Sequence, residues 1–154
     1  MEQKTKIIAE EGKQELMITR EFELPLELLF KAYQEPELVE QWMGTKVLKL
    51  ENKKHGSYSF ETSHNGEVVF RANGAIHEFI PNQKIIRTFE MENAAIGVQL
   101  EFLEFEKLSD NTSKLTMQVI YRSVEHGAMQ LKMPFAYGLN MAHNKLQEIL
   151  SNLK

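Results

Sequence analysis

The chain has 154 residues, 18 basic and 22 acidic side chains, a net charge of −4 and no cysteine. That length favours one domain with its own core, and the acidic balance excludes a nucleic-acid binder that works through a basic face. Without cysteine there is no disulfide, thiolate nucleophile or cysteine-ligated metal. Residues 1–11 are polar and charged, unlike a signal peptide, and no apolar run approaches the roughly 20 residues of a spanning helix. A soluble cytoplasmic protein is the expectation.

Residues 5–9 lean toward an edge strand, broken by Glu11-Gly12. In residues 16–23, Leu16, Ile18 and Phe22 alternate with Met17, Thr19 and Glu21, and Arg20 falls on the apolar side. Pro25 opens a short helix with the stripe Leu26, Leu29, Phe30 and Tyr33. Pro36 opens a second, with Leu38, Val39, Trp42 and Met43, which Gly44 closes. From residue 45 onward the pattern is a meander of strands over residues 46–51, 57–62, 67–80, 84–91, 98–108 and 114–121. Asn65-Gly66 supplies a tight hairpin turn. Gly74 reads as a bend or bulge. The shift from Val98, Leu100 and Phe102 to Leu103 and Phe105 reads as a second bulge. Ser123 is a candidate cap for a short segment through Leu131. After Pro134, residues 135–154 form a long helix with Phe135, Leu139, Ala142, Leu146, Ile149, Leu150 and Leu153 on one stripe, and Asn140, Asn144, Gln147, Glu148 and Ser151 opposite.

Strands joined by tight turns pair antiparallel, and an amphipathic helix of about 20 residues needs an apolar surface about 30 Å long. The expected architecture is therefore α+β: a curved antiparallel sheet of about six or seven strands wrapped around the C-terminal helix, with two short helices after the first main strand. Residues 1–154 form a single domain in this reading.

The run Ile18-Thr19-Arg20-Glu21-Phe22, Pro25, Leu29-Phe30-Lys31-Ala32, Pro36-Glu37, Trp42 and Gly44 resembles the N-terminal pattern of the SRPBCC (START-like) superfamily. The branch it is most similar to comprises homologues of the C-terminal domain of the heat-shock-protein-90 ATPase activator. The likeness continues through Gly56-Ser57-Tyr58, Gly74-Ala75-Ile76-His77-Glu78, Ile85-Ile86-Arg87-Thr88-Phe89 and Gly138 with the following helix, nearly the whole chain. The resemblance implies a helix-grip fold with a cavity between sheet and helix, in a family whose members bind lipids, sterols, polyketides or phenolics, or assist a chaperone. Two departures stand out. Phe135-Ala136-Tyr137 replaces acidic residues often found ahead of the helix glycine, and the turn at residues 52–56 lacks a glycine-rich phosphate loop.

A lining for such a cavity can be assembled from Phe30, Tyr33, Trp42, Tyr58, Phe60, Phe89, Tyr121, Met129, Met133, Phe135, Leu139 and Ala142. Taken singly, each reads first as a core residue. As a set they combine apolar bodies with polar tips and adaptable thioethers. Gly138 and Ala142, one turn apart, either let the helix approach the sheet or leave volume for a ligand. The cavity mouth is expected near Trp42, Met43 and residues 129–135. Arg20 calls for a partner, with Glu78 and Glu104 as candidates, or else contacts an anionic ligand. Arg87 is a second residue of that type. His143, at the edge of the helix stripe, is a hydrogen-bond donor, a general base or a boundary histidine. The five histidines, His55, His64, His77, His126 and His143, lie singly, so no metal site or cofactor is expected.

The leading expectation is a protein that binds a small hydrophobic or amphipathic molecule without a cofactor, and no catalytic residue is assigned. The alternatives are a co-chaperone-like module acting on an ATPase partner, with Tyr137 and Met141 as an exposed pair, and a cyclase or hydrolase using His143. Monomer and homodimer both remain open. No nucleic acid and no membrane span enter any of these readings.

Overall fold

The computed structural model describes residues 4–92, 94–132 and 135–153. Its elements are β1 (Lys6–Ile8), β2 (Glu15–Phe22), α1 (Leu26–Gln34), α2 (Pro36–Met43), β3 (Lys46–Leu50), β4 (Ser57–His64), β5 (Glu67–Ile80), β6 (Lys84–Met91), β7 (Val98–Lys107), β8 (Ser113–Ile120), α3 (Val124–Lys132) and α4 (Phe135–Ser151). All eight strands join one antiparallel sheet in the order β1-β2-β8-β7-β6-β5-β4-β3. The expected α+β helix-grip architecture holds, with one strand more, because the three residues of β1 pair with β2 through Ile7 and Ile18. Among the described residues no helix is long and apolar enough to cross a membrane.

Local chemistry accounts for most of the turns. Asn65 and Gly66 take positive φ values of 53° and 81° between β4 and β5, the geometry in which a two-residue hairpin matches the twist of its strands. Pro36 occupies the first turn of α2, where its missing N–H leaves no bond unmade. Period-2 alternation then sends Leu16, Ile18 and Phe22 of β2, Leu115, Met117 and Val119 of β8, and Leu103 and Phe105 of β7 to one face. Leu146 and Leu150 of α4 share a cluster with these residues, so the sheet and the last helix bury one another. A smaller cluster, Val39, Tyr58, Phe60 and Ile76, lies toward the β3–β4 side.

Three expectations are corrected. The first concerns β7, which contains no phase slip: its register runs without a break from Lys84↔Glu104 to Glu90↔Val98, and from Leu100↔Ile120 to Lys107↔Ser113. Val98, Leu100 and Phe102 therefore face outward, and Gln99 and Glu101 face in, both buried. A bulge in a strand paired on both sides would break two ladders, whereas an outward apolar row costs little. The second concerns Gly74, which marks a close approach; the register shift lies farther on, between Ile76 and Glu78. A Cβ at Gly74 would collide with the Thr88 carbonyl and lie 2.7 Å from the Tyr58 ring.

The third correction is the rotation of α4. Asn140, expected on the outer side, is buried with His143, while Leu153 beyond the helix is 51% exposed. Gly138 is exposed, with open space where a Cβ would stand, so it serves neither close packing nor internal volume. Tyr137 and Met141 do lie on the outside, 63% and 48% exposed. Pro134 and Met133 lie outside the described residues.

These two glycines should respond oppositely to alanine. Gly74→Ala is expected to destabilise the protein by about 1–3 kcal/mol or more through overpacking against the Thr88 carbonyl and the Tyr58 ring. Gly138→Ala should stabilise it by roughly 0.5–1 kcal/mol through helix propensity. Urea unfolding midpoints of the two variants measure both signs.

Candidate functional site

The alternation of β6 and β7 places charge inside the sheet. Arg87 stands on the inner side of β6 between Ile85 and Phe89, directly across from Glu101 of β7. Its Nε donates to Glu101 Oε1 at 2.8 Å, and Gln99 Nε2 donates to Glu101 Oε2 at 2.8 Å, so both carboxylate oxygens are answered. The Arg87 and Glu101 side chains are only 12% and 5% exposed. The guanidinium also lies over the Tyr58 ring, 5.2 Å from its centroid. Tyr58 owes its position to Gly74, the residue opposite it on β5, and its hydroxyl donates to the Thr88 carbonyl. Burial pulls the Arg87 pKa down, but its surroundings, with Tyr58 and the Glu101 carboxylate foremost, raise it on balance and keep the charge.

Three phenols surround this pair. Burial raises the pKa of Tyr33, Tyr58 and Tyr121 above the usual phenol range, and the negative charge of Glu101 raises each further, while Arg87 works the other way on Tyr33 and Tyr58. All three remain protonated at neutral pH. Gly127 lets α3 sit against Tyr121; a Cβ there would be 3.3 Å from the ring. On the same face of α3, Gln130 is buried. Among the described residues the Tyr121 hydroxyl and Gln130 Oε1 are buried without a hydrogen-bond partner. Such atoms are uncommon in folded proteins because each forfeits its hydration.

A second polar group joins β2, the N-terminal segment and α4. Arg20 Nη1 donates to Thr5 Oγ1 at 3.1 Å and to Asn140 Oδ1 at 3.4 Å, and the Thr5 backbone N–H donates to Asn140 Oδ1 at 3.1 Å. Thr5 Oγ1 is 2.7 Å from His143 Nδ1. Since arginine only donates, the Thr5 hydroxyl accepts from Arg20, and the direction of its bond with His143 Nδ1 follows the imidazole tautomer. His143 Nε2 is buried with no partner among the described residues, and the ring lies beside those of Phe22 and Trp42. Burial, with the Arg20 charge adding to it, lowers the His143 pKa to about 3, so the ring is neutral. The partners foreseen for Arg20 are elsewhere: Glu78 pairs with Lys84, and Glu104 is exposed.

The residues singled out from the sequence fall into separate groups. Phe30 packs edge-to-face with Phe79 and Phe105, and Tyr33 stacks on Trp42 and Phe105. The Trp42 indole N–H, offered as a ligand contact, donates to the Ala32 carbonyl at 2.8 Å. Tyr121 belongs with these residues to the larger cluster, against which Phe135, Leu139 and Ala142 pack half-buried. Tyr58, Phe60 and Phe89 lie in or against the smaller one. Met129 is at the surface of α3, 36% exposed. A groove of roughly 460 Å³ between α2 and α4, bordered by Trp42, Met43, Gly44, Met141 and Ala142, coincides with part of the expected mouth. Gln99, Glu101, Gln130, Thr5 and Asn140 escaped the sequence reading. A signal existed for Glu101, because Arg87 shares the parity of Ile85 and its charge requires an acid on a neighbouring strand.

Residues 23–151 match the model of the family described as Activator of Hsp90 ATPase homolog 1-like protein. No curated protein matches the chain. Among solved structures it is similar to protein Ms6760 from Mycobacterium smegmatis, with 20% identity over 95% of this chain and 96% of that one, at a TM-score of 0.83. A protein from Rhodobacter sphaeroides gives 21% identity, 96% and 99% coverage and a TM-score of 0.84. One from Arthrobacter aurescens gives 16% identity, 96% and 91% coverage and a TM-score of 0.84. At these identities the likeness concerns the fold.

Two outcomes follow from the buried charges. The unfolded chain protonates His143 near its ordinary value of 6.5, whereas the folded chain waits until about 3. The contribution of His143 to stability is therefore complete above pH 6.5 and lost as pH falls toward 3, at about 1.4 kcal/mol per pH unit within that window. His143→Gln should flatten the dependence of the melting temperature on pH between 6.5 and 4. Glu101→Leu, which strands Arg87, should cost about 3–5 kcal/mol, and the double variant Arg87→Met, Glu101→Leu should recover most of it, as read from denaturant midpoints.

Proposed function

Because the chain belongs to the Activator of Hsp90 ATPase homolog 1-like protein family, we propose that it binds a small amphipathic molecule inside the sheet, against α3 and the phenols. One observation carries this reading: among the described residues the Tyr121 hydroxyl, near Glu101 of the inward ion pair, and Gln130 Oε1 of α3 are buried without a hydrogen-bond partner. A core built only for stability would place apolar side chains there. The apolar body of the ligand lies against Tyr33, Tyr121 and the half-buried Phe135 and Leu139. Its hydroxyl or carbonyl group meets Tyr121 and Gln130, with Arg87 and Glu101 fixing the local polarity. A flat ring bearing oxygen substituents, as in phenolics and polyketides, fits these donors and acceptors.

Entry requires movement, since Tyr58 and Tyr121 are each only 2% exposed. The element suited to it is α3, which packs chiefly on α4 and β2, buries only Gly127 and Gln130, and leaves Val124, Met129 and Leu131 exposed. Few buried contacts mean a low cost of local opening.

A co-chaperone-like role is the second reading, favoured by exposed apolar residues on the last two helices: Met129 and Leu131 of α3, Tyr137 and Met141 of α4. Addition of the protein to a chaperone ATPase without any change in turnover would remove it.

The first reading is tested by native mass spectrometry and thermal shift with flavonoids, polyketide-like aromatics and fatty acids. At a ligand concentration about 100 times Kd the expected stabilisation is about 2.7 kcal/mol. Tyr121→Phe, which keeps the ring and removes the hydroxyl, should weaken binding by about tenfold with little loss of fold stability. A panel in which no compound binds, or in which Tyr121→Phe binds as well as the parent, would sink the assignment.

A further inference from the structure

We propose that the groove at the β1–β2 edge is a second site, separate from the interior, that takes a phosphomonoester-type oxyanion with the Arg20 guanidinium at its floor. The starting point is a difference between two buried arginines. Arg87 meets a carboxylate. Arg20, 3% exposed, meets only the neutral oxygens of Thr5 and Asn140 among the described residues. Among the described residues its Nε is buried with no hydrogen-bond partner. Burying a cation without a counter-charge costs several kcal/mol, and two neutral acceptors at one of its nitrogens offset only part of that. Among the described residues no carboxylate answers this charge.

The surroundings supply a place for a counter-charge. A groove of roughly 530 Å³ borders Arg20, with Lys4, Lys6 and Lys114 along it and Glu21 and Glu23 as its carboxylates. Four cations thus face two acids, in a chain whose net charge is −4. Glu21 stands across from Lys114 in the β2–β8 register, and Glu23 is held through its backbone by Gln147. Neither acid makes a hydrogen bond or salt bridge to Arg20 among the described residues. The remaining excess of two positive charges suits a dianion, and a guanidinium fork suits two oxygens of one phosphate. The groove is larger than a bare phosphate and leaves room for an organic substituent, while the buried Phe22 ring, 5.1 Å from the Arg20 guanidinium carbon, backs the guanidinium from the core side.

Inorganic phosphate is the first probe, titrated into the ¹⁵N-labelled full chain with chloride holding ionic strength constant. Amides of Thr19, Glu21 and Lys114 should shift saturably, and chloride alone should leave them in place. Lys4→Gln with Lys6→Gln, both at exposed positions, should weaken phosphate binding by about tenfold while the fold is unaffected. Arg20→Lys, which keeps charge and loses the fork, should weaken it as well. Tyr121→Phe, which tests the interior site, should leave phosphate affinity unchanged. Tighter binding of phenyl phosphate than of inorganic phosphate would indicate a soluble phosphorylated metabolite. Cosedimentation with vesicles containing phosphatidic acid, but not with phosphatidylcholine alone, would indicate a lipid headgroup. Absence of saturable shifts, equal shifts with chloride, or unchanged affinity in the double lysine variant would overturn the proposal.

Discussion

Helix α4 carries Leu146 and Leu150 on the same stripe as Asn140 and His143, and only a surface that is apolar in one part and polar in another can receive it. The sheet provides the apolar part through β2, β7 and β8. The polar part is assembled from Thr5 and Arg20, which reach α4 from two different strand regions. Hydrogen bonds in a buried network are directional, so they fix the rotation of a helix that hydrophobic contact alone would leave loosely specified. The short β1 gains its place from the same bonds. Thr5, bridging Arg20, Asn140 and His143, adds to the backbone pairing with β2 and the packing of Ile7 that hold this three-residue strand.

The interior is polar at two places, and the two are built differently. At Arg87 the charge is matched within the sheet by Glu101, whose other oxygen is taken by Gln99. The surplus there is of neutral groups, a phenol and an amide with no partner. At Arg20 the Thr5 and Asn140 oxygens are engaged, while among the described residues Arg20 Nε and His143 Nε2 have no partner and no carboxylate meets the guanidinium. A site of the first kind selects for hydrogen-bonding shape in an uncharged molecule. A site of the second kind selects for an anion.

A fold of this kind hosts unrelated activities, and family membership alone says little about which one applies. In this chain the inward row Leu16, Val119, Glu101, Arg87 and Ile76 runs across five paired strands. Charged residues occupy the middle of it and apolar residues the ends. Gly74 belongs to the same design, since the absent Cβ is what allows the Tyr58 ring to lie where Arg87 can cover it.

Much of this was present in the order of residues. Turn chemistry at Asn65-Gly66, prolines at the starts of α1 and α2, and strict alternation in β2 and β8 made the element order readable, because each is a local effect of one or a few neighbouring residues. Exposure of Tyr137 and Met141 was likewise legible from helical period. The inward facing of Gln99 and Glu101 was not: β7 is apolar at Val98, Leu100 and Phe102 as well as at Leu103 and Phe105, so periodicity favoured the wrong side. Only pairing with β6 and β8 decided it, because a strand bonded on both edges takes its phase from its neighbours rather than from its own hydrophobicity. The same holds for Asn140 and His143, polar by themselves and buried because partners distant in sequence answer them. Local propensity determines which elements form, whereas which polar groups end inside depends on contacts that exist only once the chain has closed.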